Sequence, residues 1–217
     1  MMKKVPVVFF SADPTRKLFL DEDLREIKEK VRAAEYRALD FDVRLAARFD
    51  DLQQALYETK PQIVHFSGHA DHRGLMLVHE DGHTPYWVST RDLEQLFTAF
   101  RGNIRLVVLS GCSTGPQAKA IANVVGCAIG TPAAILDKAA IVFNAAFYRA
   151  IAFGESVKGA HEKGCAALPG ELDEVLPTLE ARADVDPAQV ILVHNPWRAL
   201  KRWGAVAALL IFSSGVA

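Results

Sequence analysis

Cysteine is scarce in this chain. Cys112, Cys127 and Cys165 are the three among 217 residues, and no two form a C-x-x-C pair. An odd, low count argues against a disulfide framework and a cysteine-based zinc site, and free thiols fit a reducing, cytoplasmic setting. Neither sign of charge is in excess. Against 26 Asp and Glu stand 25 Lys and Arg, so the formal net charge is −1. That balance argues against a nucleic-acid partner held by bulk phosphate neutralisation. No Gly-x-Gly-x-x-Gly follows the first apolar run, and there is no Walker-type Gly-Lys-Ser/Thr, which makes a nucleotide-binding domain a weak reading. The first apolar run, Val5 to Phe10, is cut by Asp13 and Pro14. It is too short for a signal peptide and reads as a buried strand. Repeats and low-complexity stretches are also missing. What is present is a globular composition, with half the residues hydrophobic and 24 % charged.

Apolar runs alternate with amphipathic stretches. Strands are expected at Val5–Phe10, Phe41–Leu45, Gln62–Phe66, Ile104–Leu109, Cys127–Gly130 and Gln189–Val193. Helices are expected from Asp21 to Leu39, from Asp50 or Asp51 to Tyr57, from a Thr90 cap to Phe100, and over Gln117–Val125. Two more follow, one from Asp137 to Phe153 and one after Gly154 to about Leu168. Asp81-Gly82, between Gly74–Val78 and Tyr86–Val88, marks a hairpin. The acidic stretch 169–187 looks irregular. Strand-helix alternation predicts an α/β domain with one mostly parallel sheet and helices on both faces, and such sheets carry their chemistry at the carboxyl ends of the strands.

Two of those strand ends bear reactive side chains. One strand runs into Ser67-Gly68-His69 and a later one into Ser110-Gly111-Cys112-Ser113. If the two strands are parallel and central, His69 and Cys112 leave the sheet at the same edge. A thiol becomes a nucleophile when a base takes its proton, and a neighbouring imidazole is such a base. The order, His69 before Cys112, is that of caspase-type sites, although the literal caspase motif is absent. Ser67, Ser110, Ser113 and Thr114 either orient this pair or serve as turn hydrogen-bonders. His65 precedes His69 by four positions, and is expected in the core or as a support beneath His69.

The segments Gln62-Ile63-Val64-His65-Phe66-Ser67-Gly68-His69 and Leu106-Val107-Val108-Leu109-Ser110-Gly111-Cys112-Ser113 resemble the His and Cys blocks of the CHAT family. These are caspase-like cysteine proteases related to separase and widespread in bacteria. Phe9-Phe10-Ser11-Ala12-Asp13-Pro14 with the helix after it, and Asp137 to Ala150, resemble further blocks in the same order, so that the likeness covers residues 5–168. The resemblance implies a three-layer caspase-hemoglobinase fold and endopeptidase activity. Cys112 would be the nucleophile and His69 the base, with the oxyanion held by the backbone N–H groups of Cys112 and Ala70. Neither cofactor nor metal is implied. The implied partners are a protein substrate and an activating protein, in a bacterial defence or cell-death pathway. One position departs from the pattern. Relatives usually carry glycine where Ala70 stands, and alanine held at positive φ would be strained by about 1–2 kcal/mol. The same fold kept as an inactive interaction module is the alternative.

Asp137 has two readings, a helix N-cap or a wall of a specificity pocket selecting a basic residue, and its position favours the cap. Cys127 and Cys165 are expected in the core. Five histidines between His65 and His83 invite a metal reading, but no His-Glu-x-x-His helix motif supports it. The catalytic domain is expected over residues 1–196. Residues 197–217 form an apolar tail, uncharged from Trp203 onward and preceded by Arg198, Lys201 and Arg202. The tail is short of the roughly 20 residues a spanning helix needs. It is expected to pack as a helix on the domain or a partner, with membrane contact as the alternative.

Overall fold

The structure, a computed structural model, describes residues 4–15, 18, 20–32, 38–170 and 175–194. Six strands form the main sheet: β1 (Val5–Ala12), β2 (Leu39–Leu45), β3 (Ile63–Gly68), β7 (Leu106–Ser110), β8 (Cys127–Gly130) and β9 (Thr178–Ala181). Their order is β2-β1-β3-β7-β8-β9. All neighbours run parallel except β9, which lies antiparallel on β8. Successive residues of a strand face opposite sides, so each central strand feeds two cores. Val5, Val7 and Phe9 join one core with Ile27 of α1 (Leu20–Arg32), Phe143 and Phe147 of α5 (Asp137–Ala152), and Val157 of α6 (Val157–Cys165). Val8 and Phe10 join the other with Leu52 of α2 (Phe49–Thr59), Leu93 of α3 (Thr90–Phe100) and Ile121 of α4 (Gly115–Val125). Continuous apolar runs at β1 and β7 are the mark of strands buried on both faces.

A second, three-stranded antiparallel sheet holds β4 (Ala70–Asp71), β5 (Gly74–Val78) and β6 (Pro85–Val88). The expected hairpin is β5–β6. The Asp81 carboxylate closes its turn by accepting from the N–H groups of His83 and Thr84.

Several expected boundaries are corrected. Leu39 belongs to β2, paired with Val5, and not to the helix before it. Ser89, not Thr90, caps α3: its hydroxyl accepts from the Asp92 N–H. Neither Asp50 nor Asp51 occupies the N-cap of α2. Arg48 does, and Asp51 accepts its N–H at 2.8 Å. Gln189–Val193 forms no strand. Only an isolated bridge joins Ile191 to Ser156, because the sheet edge beside β8 is taken by β9, from the stretch expected to be irregular. Cys127 lies in the core and Cys165 packs against it. Among the described residues no helix is long and apolar enough to cross a membrane. The expectations for residues 197–217 lie outside the described residues.

Candidate active site

Strands β3 and β7 are neighbours in the middle of the sheet, and Ser67 and Ser110 are register partners near their carboxyl ends. Two residues beyond each serine stand His69 and Cys112. Both therefore emerge at one edge of the sheet, and both line the same open cleft. The loops approach closely because glycine separates each serine from its reactive residue. A Cβ on Gly111 would stand 2.6 Å from the Gly68 carbonyl oxygen, and one on Gly68 would stand 2.4 Å from that of Ala12.

The turn carrying Cys112 is held from beneath. The Thr114 hydroxyl is fully buried, contacts the carbonyl oxygens of Leu109 and Gly111 at 3.2 Å, and accepts the Thr131 N–H at 2.9 Å. The Thr131 hydroxyl donates to the same Gly111 carbonyl. Ser113 sits at φ 53°, in the left-handed region that a serine rarely adopts, with its N–H on the Ala133 carbonyl at 3.0 Å. Such backbone persists where the surroundings over-determine it. The half-buried Cys112 sulfur lies 3.9 Å from the Ile135 carbonyl oxygen.

His69 is tied to the end of β1. Its Nε2 lies 2.8 Å from the Thr15 hydroxyl and 3.3 Å from an Asp13 carboxylate oxygen. Among the described residues the ring's polar contacts run through Nε2. Ala70 is not strained. It begins β4, and among the described residues the non-glycine ones with positive φ are Ala46, Lys60 and Ser113.

The family model of the CHAT domain matches residues 9–163, most of the chain. This chain belongs to the CHAT domain family. It is 26 % identical over 148 residues to a protein of Gillisia limnaea named a probable protease, covering 66 % of this chain and 26 % of the relative. It is also 26 % identical over 133 residues to a Roc-COR-CHAT protease of an unknown prokaryote, covering 58 % of this chain and 12 % of that protein. The chain thus spans about a quarter and an eighth of the length of these curated relatives. Among solved structures it is similar to caspase-1 of Spodoptera frugiperda, with TM-score 0.52, 10 % identity and 88 % of each chain covered. It is also similar to the Arg-specific cysteine proteinase gingipain R, with TM-score 0.57, 8 % identity, and 87 % of this chain and 48 % of the other covered. These likenesses show the caspase-hemoglobinase fold.

In this CHAT domain the cleft beside the dyad candidates is walled by α1 and α5. Asp137 does not serve as the N-cap that its position favoured. It is the first residue of α5, the capping position falls to Leu136 with no side-chain bond, and Asp137 lines the cleft with His69 and Cys112. Burial pushes its carboxyl above the usual range, opposed by the nearby His69 and reinforced by Asp13 and Asp23. Asp23 lies at the bottom of the cleft, 3 % exposed. It accepts the Ser67 hydroxyl at 2.8 Å and the Asn144 amide at 3.1 and 3.3 Å, and that amide also donates to the Ser110 hydroxyl at 2.9 Å. Ser67 and Ser110 are therefore anchors of a network under the cleft and make no turn bonds. His65 is fully buried, stacked on Phe9 at 4.5 Å, with Nδ1 3.0 Å from the Tyr148 hydroxyl. It touches Asp23 at 3.7 Å and does not line the cleft. Among the described residues no group of three or more His, Cys, Asp or Glu side chains could hold a metal ion.

Sequence reasoning missed Asp13, Thr15, Asp23, Asn144 and Thr131. Asp13 looked like a strand terminator and Asp23 like one of three acids in the first turn of a helix. One signal was available for Asp23: it follows Leu20 by three positions and precedes Ile27 by four, on the apolar stripe of α1.

Proposed function

We propose that this domain is a cysteine endopeptidase working through Cys112 and His69. The observation that carries the reading is the shared cleft at the ends of two register-paired parallel strands. His69 takes the proton of the Cys112 thiol, and the sulfur attacks the peptide carbonyl carbon. The oxyanion that forms is held by the backbone N–H groups of Cys112 and Ala70, each such donor contributing about 2.7–4 kcal/mol. His69 then gives its proton to the leaving amine as the C–N bond breaks. The acyl-thioester is hydrolysed when His69 deprotonates a water, which attacks the same carbon and expels the thiolate.

The cleft beside the thiol has two carboxyl groups, Asp23 at its floor and Asp137 on its wall, with Leu18 and Ile141 as apolar surface. That pairing suits a long basic side chain, whose stem packs on apolar walls while its charge meets acids. Cleavage after Lys or Arg is the reading it supports. The substrate, by analogy with the family, is a partner protein of a bacterial defence or cell-death system, cut when a second protein activates the domain.

The test is to label with a peptidyl chloromethyl ketone and to profile peptides released from a proteome digest. Wild type should label at Cys112 and cut after basic residues, with none of these cuts in Cys112→Ala. Equal labelling of wild type and His69→Ala at neutral pH would sink the dyad. If Cys112→Ala leaves every cellular phenotype intact, the fold serves as an interaction module instead.

A further inference from the structure

The contacts of Asp13 and Thr15 decide which nitrogen of His69 holds hydrogen. Asp13 directly follows β1, so it stands at the same sheet edge as His69 and Cys112. Its side chain is 7 % exposed. One carboxylate oxygen accepts the Leu18 N–H at 2.7 Å, and the other accepts both the N–H of Thr15 at 2.9 Å and its hydroxyl at 2.6 Å. A hydroxyl has one hydrogen and an ionised carboxylate has none. Thr15 commits its hydrogen to Asp13, so at 2.8 Å from His69 Nε2 the hydroxyl oxygen can only accept. Nε2 must then bear the N–H. The Asp13 oxygen, farther off at 3.3 Å from Nε2, adds a weaker bias in the same direction, because a carboxylate repels a nitrogen lone pair and attracts an N–H; the direct hydrogen bond is that of Thr15.

We infer that Asp13 and Thr15 are positioning residues that fix His69 as its Nε2–H tautomer, so that Nδ1 is the atom that receives the Cys112 proton. The inference rests on the peptidase reading and adds to it a third partner and a proton address. Once Nδ1 is protonated, the imidazolium keeps its Nε2–H on the Thr15–Asp13 pair, whose negative charge lies where the new positive charge develops. The electrons stay with the Cys112 sulfur and the proton moves to Nδ1; nothing else is gained or lost.

Two readouts test this on the full chain. In the first, histidine-labelled wild type is studied by two-bond proton–nitrogen correlation at a pH where His69 is neutral, its signals assigned by their loss in His69→Gln. The expected result is a protonated Nε2 and a bare Nδ1. In the second, the rate of Cys112 alkylation is followed against pH. Thr15→Val and Asp13→Asn should each slow it at neutral pH at least tenfold and move its rising limb up by about one pH unit. Peptide turnover should lose kcat with KM little changed, and Thr15→Ser should retain wild-type behaviour. Thr15 is exposed, so its valine variant keeps the fold even if Asp13→Asn does not. A resting Nδ1–H tautomer in wild type, or an unchanged pH profile in Thr15→Val, overturns the inference. Absence of any cleavage or selective labelling in wild type strikes instead at the peptidase reading, while the tautomer spectrum still decides this one.

Discussion

Gly111 and Gly68 meet backbone to backbone: the Gly68 carbonyl oxygen lies 2.6 Å from where a side chain on Gly111 would begin. The two loops that carry Cys112 and His69 are thereby as close as the chain allows. Gly111→Ala must push them apart. Overpacking of this kind costs about 1–3 kcal/mol, whereas a displacement near 1 Å at reacting groups costs about 100-fold in rate. The expected outcome is a folded protein with a modestly lower melting temperature and peptide turnover reduced about 100-fold. Unchanged kcat/KM in a folded Gly111→Ala protein would show that the loops do not need this approach.

Thr114 supports the Cys112 turn without lining the cleft. Thr114→Val keeps the volume but removes a buried hydroxyl. The Thr131 N–H then loses its acceptor, and the Leu109 and Gly111 carbonyls lose the one hydroxyl hydrogen they share, Gly111 keeping that of Thr131. An unsatisfied buried group costs about 1–3 kcal/mol. Urea unfolding should show a loss in that range, with slower alkylation of Cys112. Stability equal to wild type would mean that the turn is held by other bonds.

How much of this was legible beforehand follows from where each signal resides. Val5–Phe10 and Ile104–Leu109 announce strands buried on both faces because both faces need apolar residues. Placing two reactive residues after parallel strands then follows from the architecture alone. The β9 strand was not legible. Its four residues, Thr178 to Ala181, are half-buried or exposed at the sheet edge, and their Thr-Leu-Glu-Ala alternation is too short to announce a strand inside an acidic stretch. The acids of the site were hidden for a different reason. Asp13, Asp23 and Asp137 each have a sound local explanation, as strand terminator, helix-dipole acid and helix cap. Only tertiary packing of α1 and α5 over the sheet edge turns Asp23 and Asp137 toward one cleft, and only the neighbouring end of β1 brings Asp13 to His69.

The three thiols should differ in reactivity. Burial raises the Cys127 thiol to about 11 and also pushes up that of Cys165. At neutral pH both are protonated and poor nucleophiles, while Cys112 is half-buried and lines the cleft. Limited treatment of native protein with iodoacetamide at pH 7, followed by mass spectrometry, should find modification at Cys112 first. Modification of Cys127 ahead of Cys112 without unfolding would contradict the core packing of β8.

Asp137 links the cleft to stability. Its carboxyl is raised in the folded protein, chiefly by burial, so the folded state holds that proton more tightly than the unfolded chain does. The stabilisation this gives is complete below the unfolded value of about 3.9 and is lost as pH rises through the raised folded value. Above that, ionised Asp137 works against folding. Asp137→Asn removes the burden, so the variant should gain stability relative to wild type as pH climbs from about 3 toward neutrality. Urea unfolding across that interval measures the difference, and a flat difference would show that the carboxyl is not shifted. The same variant should lose about tenfold in kcat/KM for peptides with Arg or Lys before the scissile bond, and little for those with Leu. A residue whose removal raises stability at neutral pH yet weakens selection of a basic side chain is held in the cleft for its charge. Equal loss on both peptide classes would assign Asp137 to the shape of the cleft instead.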